Sequence, residues 1–301
     1  MKNIAVITPY SNTQHYNSRK RLYKQFEQYM AQCGLDLFTV ELAINGQDFE
    51  VTKPNNPFHL QVRGSQEFWF KENLQQIMLE RLPLHYDRVF FIDGDCMFIN
   101  PNWVNDALEQ LEKTPAVQLW SQYINLGPDL HMIDKPTYSF SYVYNHDQLD
   151  HSKVYGAPGL AWAWRRNVIE EIGMLQCCVV GGGDTRMAYG LIDDLETLFN
   201  GDKPITKGHH RSMVRWSAKA HEVVEGKLGY INNLAVHYFH GSKKNRSYAK
   251  RHEILADHNY DPAQDLSKDH QGLLILNPNK HDLLRDISLY FKSRNEDSIE
   301  A

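Results

Sequence analysis

The chain has 301 residues, 42 % of them apolar and 23 % charged, with a net charge of −5. That is enough for one large α/β domain, or two small ones, around a sizeable core. No apolar run approaches the roughly 18 residues of a membrane span, so an integral membrane protein is not expected. The opening MKNIAVITPY lacks a signal-peptide apolar region and a small-residue cleavage site. Cys33, Cys96, Cys177 and Cys178 form no CxxC pair, which excludes a disulfide framework or zinc knuckle. A reducing, cytosolic setting follows.

Taken in chain order, residues 3–8 read as a short buried strand running into Pro9. Leu22, Tyr23, Phe26, Tyr29 and Met30 fall at helical spacing over 18–32, and Gly34 stops that helix. Strands are predicted at 35–42 and, more weakly, at 58–62, then a helix over 67–81 with Pro83 just past its end. RVFFID at 88–93 is a strong buried strand, Pro101 opens a helix to about Lys113, and 116–120 is the next strand. Such alternation predicts an α/β fold: a mostly parallel, Rossmann-like central sheet with helices on both faces.

The second half is less regular. Residues 121–155, rich in Tyr, Asp, His and Pro, read as a long loop region. A strand is expected at 159–164, then a short helix ending near Gly173, and another from Thr185 to Leu191 after a glycine triplet. A strand pair at 228–239 runs into a His-rich turn, and helices at about 247–257 and 280–292 close the chain. With no repeat or Gly/Ser linker, this is one domain over 1–257 with a C-terminal helical extension at 258–301.

Four constellations could carry chemistry. Asp93-Gly94-Asp95 falls at the C-terminal end of the 88–93 strand, where open α/β sheets hold ligands. Two carboxylates across one glycine can converge on a hard divalent cation that bridges a diphosphate, or can be an acidic turn. The continuation is not that of an EF-hand. Gly181-Gly182-Gly183-Asp184 leaves an open pocket against the backbone and puts a carboxylate at a helix start, as a general base or a simple cap. It is no P-loop, since GxxxxGK[ST] is missing.

His237-Tyr238-Phe239-His240-Gly241-Ser242-Lys243-Lys244 ends a strand, with His240 as an imidazole suited to a borderline metal such as Mn²⁺, or a packed or surface histidine, and two lysines suited to departing phosphates. Arg63 with Trp69, Lys71, Glu72 and Asn73 is a weaker binding edge, equally an amphipathic helix. Charge is also uneven. Lys203 to Arg251 holds eleven basic against two acidic residues, a local +9, while the remainder sums to −14. Such a block is the footprint of a polyanion partner or a solvated face.

In this order the motifs resemble a family. Thr8-Pro9-Tyr10, WFKEN at 69–73, VFFIDGD at 89–95 with Pro101-x-Trp103, GAPGLAWAWRR at 156–166, GGGD at 181–184 and HYFHGSKKNRSYAKRHEIL at 237–255 are similar to the GT-A glycosyltransferases. The closer likeness is to small cytosolic members met in bacteriophages and large viruses, and it covers roughly 3–257. It implies a nucleotide-sugar donor, a UDP-sugar above all, with Mn²⁺ or Mg²⁺, held by the 1–120 half, and an acceptor held by the 121–257 half. Asp93, Asp95 and His240 would be the metal set, although Ser-Lys-Lys after His240 departs from the Lys-Pro-Trp of related enzymes.

Thr8, Pro9, Tyr10, Arg63, Lys71, Lys243 and Lys244 would hold the donor. Asp184 would be the base of an inverting displacement, with a retaining course left open. Trp162, Gly182, Gly183, Arg211, Arg215 and Trp216 would face the acceptor. That acceptor is double-stranded DNA carrying hydroxymethylated pyrimidines, or else a saccharide, lipopolysaccharide or protein. A nucleotidyltransferase, or a non-catalytic sugar- or DNA-binding module, are the readings from other classes. TPYSNTQHYN lacks the glycine-rich loop usual after the first strand of the former.

Overall fold

A computed structural model describes residues 3–146, 156–199, 205–248 and 250–298. The first elements are β1 (Ile4–Ser11), α1 (Asn17–Gln32), β2 (Asp36–Ile44), β3 (His59–Gly64), α2 (Lys71–Leu79), β4 (Arg88–Ile92) and β5 (Cys96–Phe98). Next come α3 (Trp103–Lys113), β6 (Ala116–Gln118), β7 (Gln122–Asn125), β8 (Thr137–Tyr138), α4 (Phe140–Asn145), β9 (Ala161–Arg165) and α5 (Arg166–Ile172). Then follow α6 (Gly183–Leu191), α7 (Leu195–Phe199), α8 (Lys207–Val224), β10 (Leu228–Tyr230), β11 (Leu234–His237) and α9 (Glu253–Asp257). The last are α10 (Pro262–Asp265), β12 (Leu266–Lys268), β13 (Leu274–Leu276) and α11 (His281–Ser293).

Seven strands form the central sheet in the order β10-β6-β9-β4-β1-β2-β3. Only β9 runs against its neighbours, β4 and β6; the other pairings are parallel. The apolar run of β4 divides by its period of two. Val89 and Phe91 join one core with Leu74, Ile77, Ile169 and Met213. Phe90 and Ile92 join the other with Phe26, Met30, Trp103 and Leu111. Both faces are therefore covered, by α2, α5 and α8 on one side and α1 and α3 on the other. A strand buried on both faces has no polar alternation to show.

A second sheet, β5-β11-β7-β8, meets the first at the C-terminal end of β4. It occupies part of the segment expected to be loop. β7 is only four residues long and mixes Gln122 and Asn125 with Tyr123, which lines the cleft and also packs beside Trp120, so no apolar run marks it. Residues 147–155 of that segment lie outside the described residues. The expected strand pair at 228–239 divides between the sheets: β10 pairs with β6, and β11 with β5 and β7.

The helix expected from residue 67 begins at Lys71, because Trp69 donates its N–H to the Val179 carbonyl at 2.8 Å rather than within a helical turn. The segment after 257 is not helical throughout, since β12 and β13 form an antiparallel ribbon. Leu276, Leu283 and Ile287 from this segment join the same core as β4. Among the described residues, no helix is long and apolar enough to cross a membrane.

Candidate active site

The central feature is the corner where the two sheets meet. β4 ends at Ile92, and the Asp93 N–H is anchored to the Leu160 carbonyl at 2.8 Å. Gly94 turns the chain, and Asp95 leads into β5. Antiparallel pairing sets Cys96 opposite His237, and the Tyr238 N–H donates to the Asp95 carbonyl at 2.9 Å. This register delivers His237 beside Asp95. His240 follows one turn later, before Gly241 in the left-handed region at φ 88°.

His240 Nε2 lies 2.9 Å from Asp95 Oδ2, and His237 Nε2 lies 3.7 Å from the same oxygen. The two imidazole Nε2 atoms are 3.3 Å apart. His237 Nδ1 pairs with Asn125 Oδ1 at 2.8 Å, which turns Nε2 toward the carboxylate. Burial alone would raise the Asp95 carboxyl, but His240 and then His237 outweigh it and hold it well below the usual carboxylate range. Asp95 Oδ1 is buried and has no hydrogen-bonding partner. One carboxylate with an unclaimed oxygen and two converging imidazoles suit a borderline divalent cation.

Asp93 is engaged elsewhere. Lys71, the first residue of α2, approaches its two carboxylate oxygens at 2.6 and 2.7 Å. Burial would lower the Lys71 ammonium, but Asp93 and then Asp184 reverse this and push it up. The expected grouping of Asp93 with Asp95 and His240 is thus redistributed. At this corner the converging donors are Asp95, His237 and His240, while Lys71 claims Asp93. His237 had no assigned role in the sequence; its signal was the His-x-x-His spacing at a strand end.

Asp184 lines the cleft in the first turn of α6. It is not the cap of that helix: Gly182 holds that position, and Asp184 Oδ1 accepts from the adjacent Thr185 N–H at 2.8 Å. The glycines around it make room for side chains. A Cβ on Gly159 would lie 2.8 Å from Asp184 Oδ2, and one on Gly183 would lie 2.4 Å from Glu72 Oε1. Gly181 and Gly182 sit at φ 89° and 82°, against the Arg251 and Arg186 guanidinium groups.

Glu72 is buried, and burial pushes its carboxyl up to about 7 against the opposing charge of Lys71, with Asp184 adding to the rise. Its ordinary value is 4.5. Between these values the folded protein keeps a proton that the unfolded chain has released. Stability should therefore fall as pH rises through that window. Glu72→Gln should flatten the slope and, at pH 8, stabilise the protein by up to roughly 3 kcal/mol. Urea denaturation at pH 5 and pH 8 measures this; parallel changes in both proteins would refute it.

These groups face one cleft of ≈ 770 Å³. Thr8, Pro9 and Tyr10 of β1 line it, as do Lys71, Asp93, Gly182 and Lys243. The Tyr10 hydroxyl donates to Glu50 at 2.6 Å, and Thr8 Oγ1 is buried without a partner. Lys243 is ion-paired with Asp134 at the rim.

Other expected site residues are not brought here. Arg63 donates to the Gln47 carbonyl at 2.8 Å and lies over the Phe49 ring, outside the cleft. Lys244 is exposed beyond the lining. Arg211 pairs with Asp261 at 3.0 Å and Arg215 is exposed, both on the outer face of α8. The Trp216 indole N–H is tied to the Gly173 carbonyl at 2.9 Å, and the ring lies outside the cleft lining. Trp162 Nε1 donates to the Pro158 carbonyl at 2.7 Å, and the ring borders a smaller neighbouring pocket. Gly183 lies beneath Glu72. The basic block therefore divides: Lys243, Arg246 and Arg251 reach the cleft, the α8 residues do not, and Lys203 lies outside the described residues.

Several cleft residues carried no sequence signal. Glu296 is buried, receives Arg19 at 2.6 Å and Arg294 at 2.8 Å, and approaches His240 Nδ1 at 3.5 Å. Arg294 lies over Trp69, which stacks on Phe291.

No protein-family model and no curated protein matches the sequence. Among solved structures, S. aureus TarS in complex with UDP-GlcNAc is similar at 9 % identity and TM-score 0.43, over 98 % of this chain and 82 % of that one. A Drosophila β1,4-galactosyltransferase 7 mutant in complex with manganese, UDP-Gal and xylobiose is similar at 12 % identity and TM-score 0.37. That match covers 64 % of this chain and only 61 % of the Drosophila chain. The 4-diphosphocytidyl-2C-methyl-D-erythritol synthase of Anaerococcus prevotii is similar at 10 % identity and TM-score 0.34, over 96 % of each chain.

Proposed function

We propose that the protein is a metal-dependent glycosyltransferase, moving a sugar from a nucleoside diphosphate, UDP above all, to an acceptor hydroxyl. The observation that carries this is the Asp95–His237–His240 corner with its unclaimed carboxylate oxygen, at the C-terminal edge of a mostly parallel sheet. These three side chains would hold Mn²⁺ or Mg²⁺, and two imidazoles in the set favour Mn²⁺. The ion, when bound, supplies Lewis-acid stabilisation of the departing diphosphate.

The chain's own residues supply the rest. Thr8 to Tyr10 would bind the nucleoside at the open end of β1. Lys71 fixes the Asp93 carboxylate and keeps a positive charge at the base of the cleft. Lys243 and Arg246 would meet the charge that builds on the leaving phosphate. Asp184 would take the proton from the acceptor hydroxyl as it attacks the anomeric carbon, which inverts the configuration.

A second reading concerns the acceptor. Lys207, Arg211, Arg215 and Lys219 form an exposed stripe at four-residue spacing along α8, which favours a polyanion such as DNA with hydroxymethylated pyrimidines. One experiment addresses both. The protein is incubated with a panel of nucleotide sugars and Mn²⁺, with and without hydroxymethylated duplex DNA or oligosaccharides. Release of UDP is expected from one donor, and chelation should stop it. No release from any donor would refute the transferase. Stimulation by DNA that fades steeply with salt would support the second reading, and stimulation by oligosaccharide alone would refute it.

A further inference from the structure

The turn that carries Asp184 is flanked by two cations, Arg186 and Arg251, that form no ion pair among the described residues. The position a Gly182 Cβ would take lies 2.7 Å from Arg186 Nη1 and 3.2 Å from Arg251 Nη2. Both guanidinium groups thus close on one point of the cleft wall. Arg251 is only 8 % exposed; its Nη1 reaches the Tyr290 hydroxyl at 3.5 Å, and its plane lies 5.0 Å over the Tyr248 ring. Arg186 donates Nη1 to the Gly182 carbonyl at 3.0 Å and brings Nη2 within 3.4 Å of His252 Nδ1. The Nε of each is buried without a hydrogen-bonding partner.

Among the described residues neither arginine forms an ion pair, whereas the nearby Arg19 and Arg294 share the Glu296 carboxylate. Two partly desolvated like charges are costly unless an anion neutralises them. The forked guanidinium matches a carboxylate or phosphate with two parallel hydrogen bonds. Placement decides which substrate brings that anion. Gly182 stands two residues before Asp184 and Arg186 two after it, while the cation donors rise from the β4–β5–β11 corner. That corner has its own positive groups, Lys243 and Arg246.

Resting on the transferase reading above, we infer that Arg186 and Arg251 form an anion subsite for the acceptor. The acceptor therefore carries a phosphate or carboxylate close to the hydroxyl that Asp184 would deprotonate. Glycines at 181 and 182 keep the wall low enough for that group to reach both side chains.

Calorimetric titration of the protein, saturated with UDP and Mn²⁺, tests this with inorganic phosphate and acetate as probes. At least one probe is expected to bind beside UDP. Arg251→Lys and Arg186→Gln should each weaken it tenfold or more without changing the affinity for UDP. Arg186 is partly buried, so a thermal melt of each variant checks that the fold is retained, and Arg251→Lys keeps the charge. Displacement of the probe by UDP, or a tenfold loss of UDP affinity in either variant, would assign the arginines to the donor diphosphate and overturn the inference. So would probe binding that ignores both substitutions. If the protein binds phosphate through these arginines but binds no UDP, the anion site stands. Its assignment to an acceptor then falls together with the transferase reading.

Discussion

Asp95→Ala should abolish metal-dependent binding of UDP, by about a hundredfold or more, because it removes the carboxylate that faces both imidazoles. Titration of UDP in the presence of Mn²⁺, and again after chelation, separates the metal-linked part of the affinity from the rest. His240→Ala should behave alike, since its Nε2 stands nearest the carboxylate. Asp93→Ala should act differently. It leaves the three converging donors in place and unbinds Lys71, so Mn²⁺ affinity is retained while the free ammonium draws the diphosphate off register. Equal UDP–Mn²⁺ affinity in Asp95→Ala and the unaltered protein would place the metal elsewhere. An Asp93→Ala variant that loses Mn²⁺ would restore the two carboxylates to one shared ion.

Asp184→Asn should lower turnover by two or more orders of magnitude, on the scale of lost general-base catalysis, with UDP affinity little changed. The side chain keeps its size over Gly159 and can still accept from the Thr185 N–H, so packing is preserved and only basicity is lost. Glu72 makes the result more informative. Burial pushes its carboxyl up to about 7 beside Asp184, so the pH profile of the proposed reaction should report a group in that range. Loss of that limb in Glu72→Gln, with turnover at high pH retained, would mark Glu72 as a positioning residue. Unaltered turnover in Asp184→Asn would reduce that aspartate to a first-turn residue of α6.

The parallel sheet was legible because Val89 to Ile92 and Ile4 to Ile7 are buried on both faces, and continuous apolar runs survive any local ambiguity. The Asp93–Asp95 turn and the glycine turn before Asp184 were legible for a related reason: strand ends and glycines punctuate the chain. The small sheet was not. Its strands are two to four residues long, and β7 mixes Gln122 and Asn125 with Tyr123 and Ile124, so no period can register. Arg63 and Lys71 lie eight positions apart and were read together. Only the second reaches the cleft, because Arg63 is held at the end of β3 by the Gln47 carbonyl and the Phe49 ring. Glu296 left no trace in the sequence, since its role depends on Arg19 and Arg294 meeting it in space.

That meeting bears on how the chain reaches its native site after synthesis or refolding. The Arg19–Glu296 contact spans 277 positions, and the Lys71–Asp93 pair spans only 22. Closing a long loop carries an entropic cost that local pairs escape, and distant contacts form after the framework that brings them together. The sheet and the Lys71–Asp93 pair can therefore be complete while His240 still lacks its neighbour from the far end of the fold. Such a chain would be compact, helical and resistant to unfolding in its sheet, yet slow to gain its final competence for ligand. Recovery of binding, rather than recovery of secondary structure, is then the proper clock for the native state.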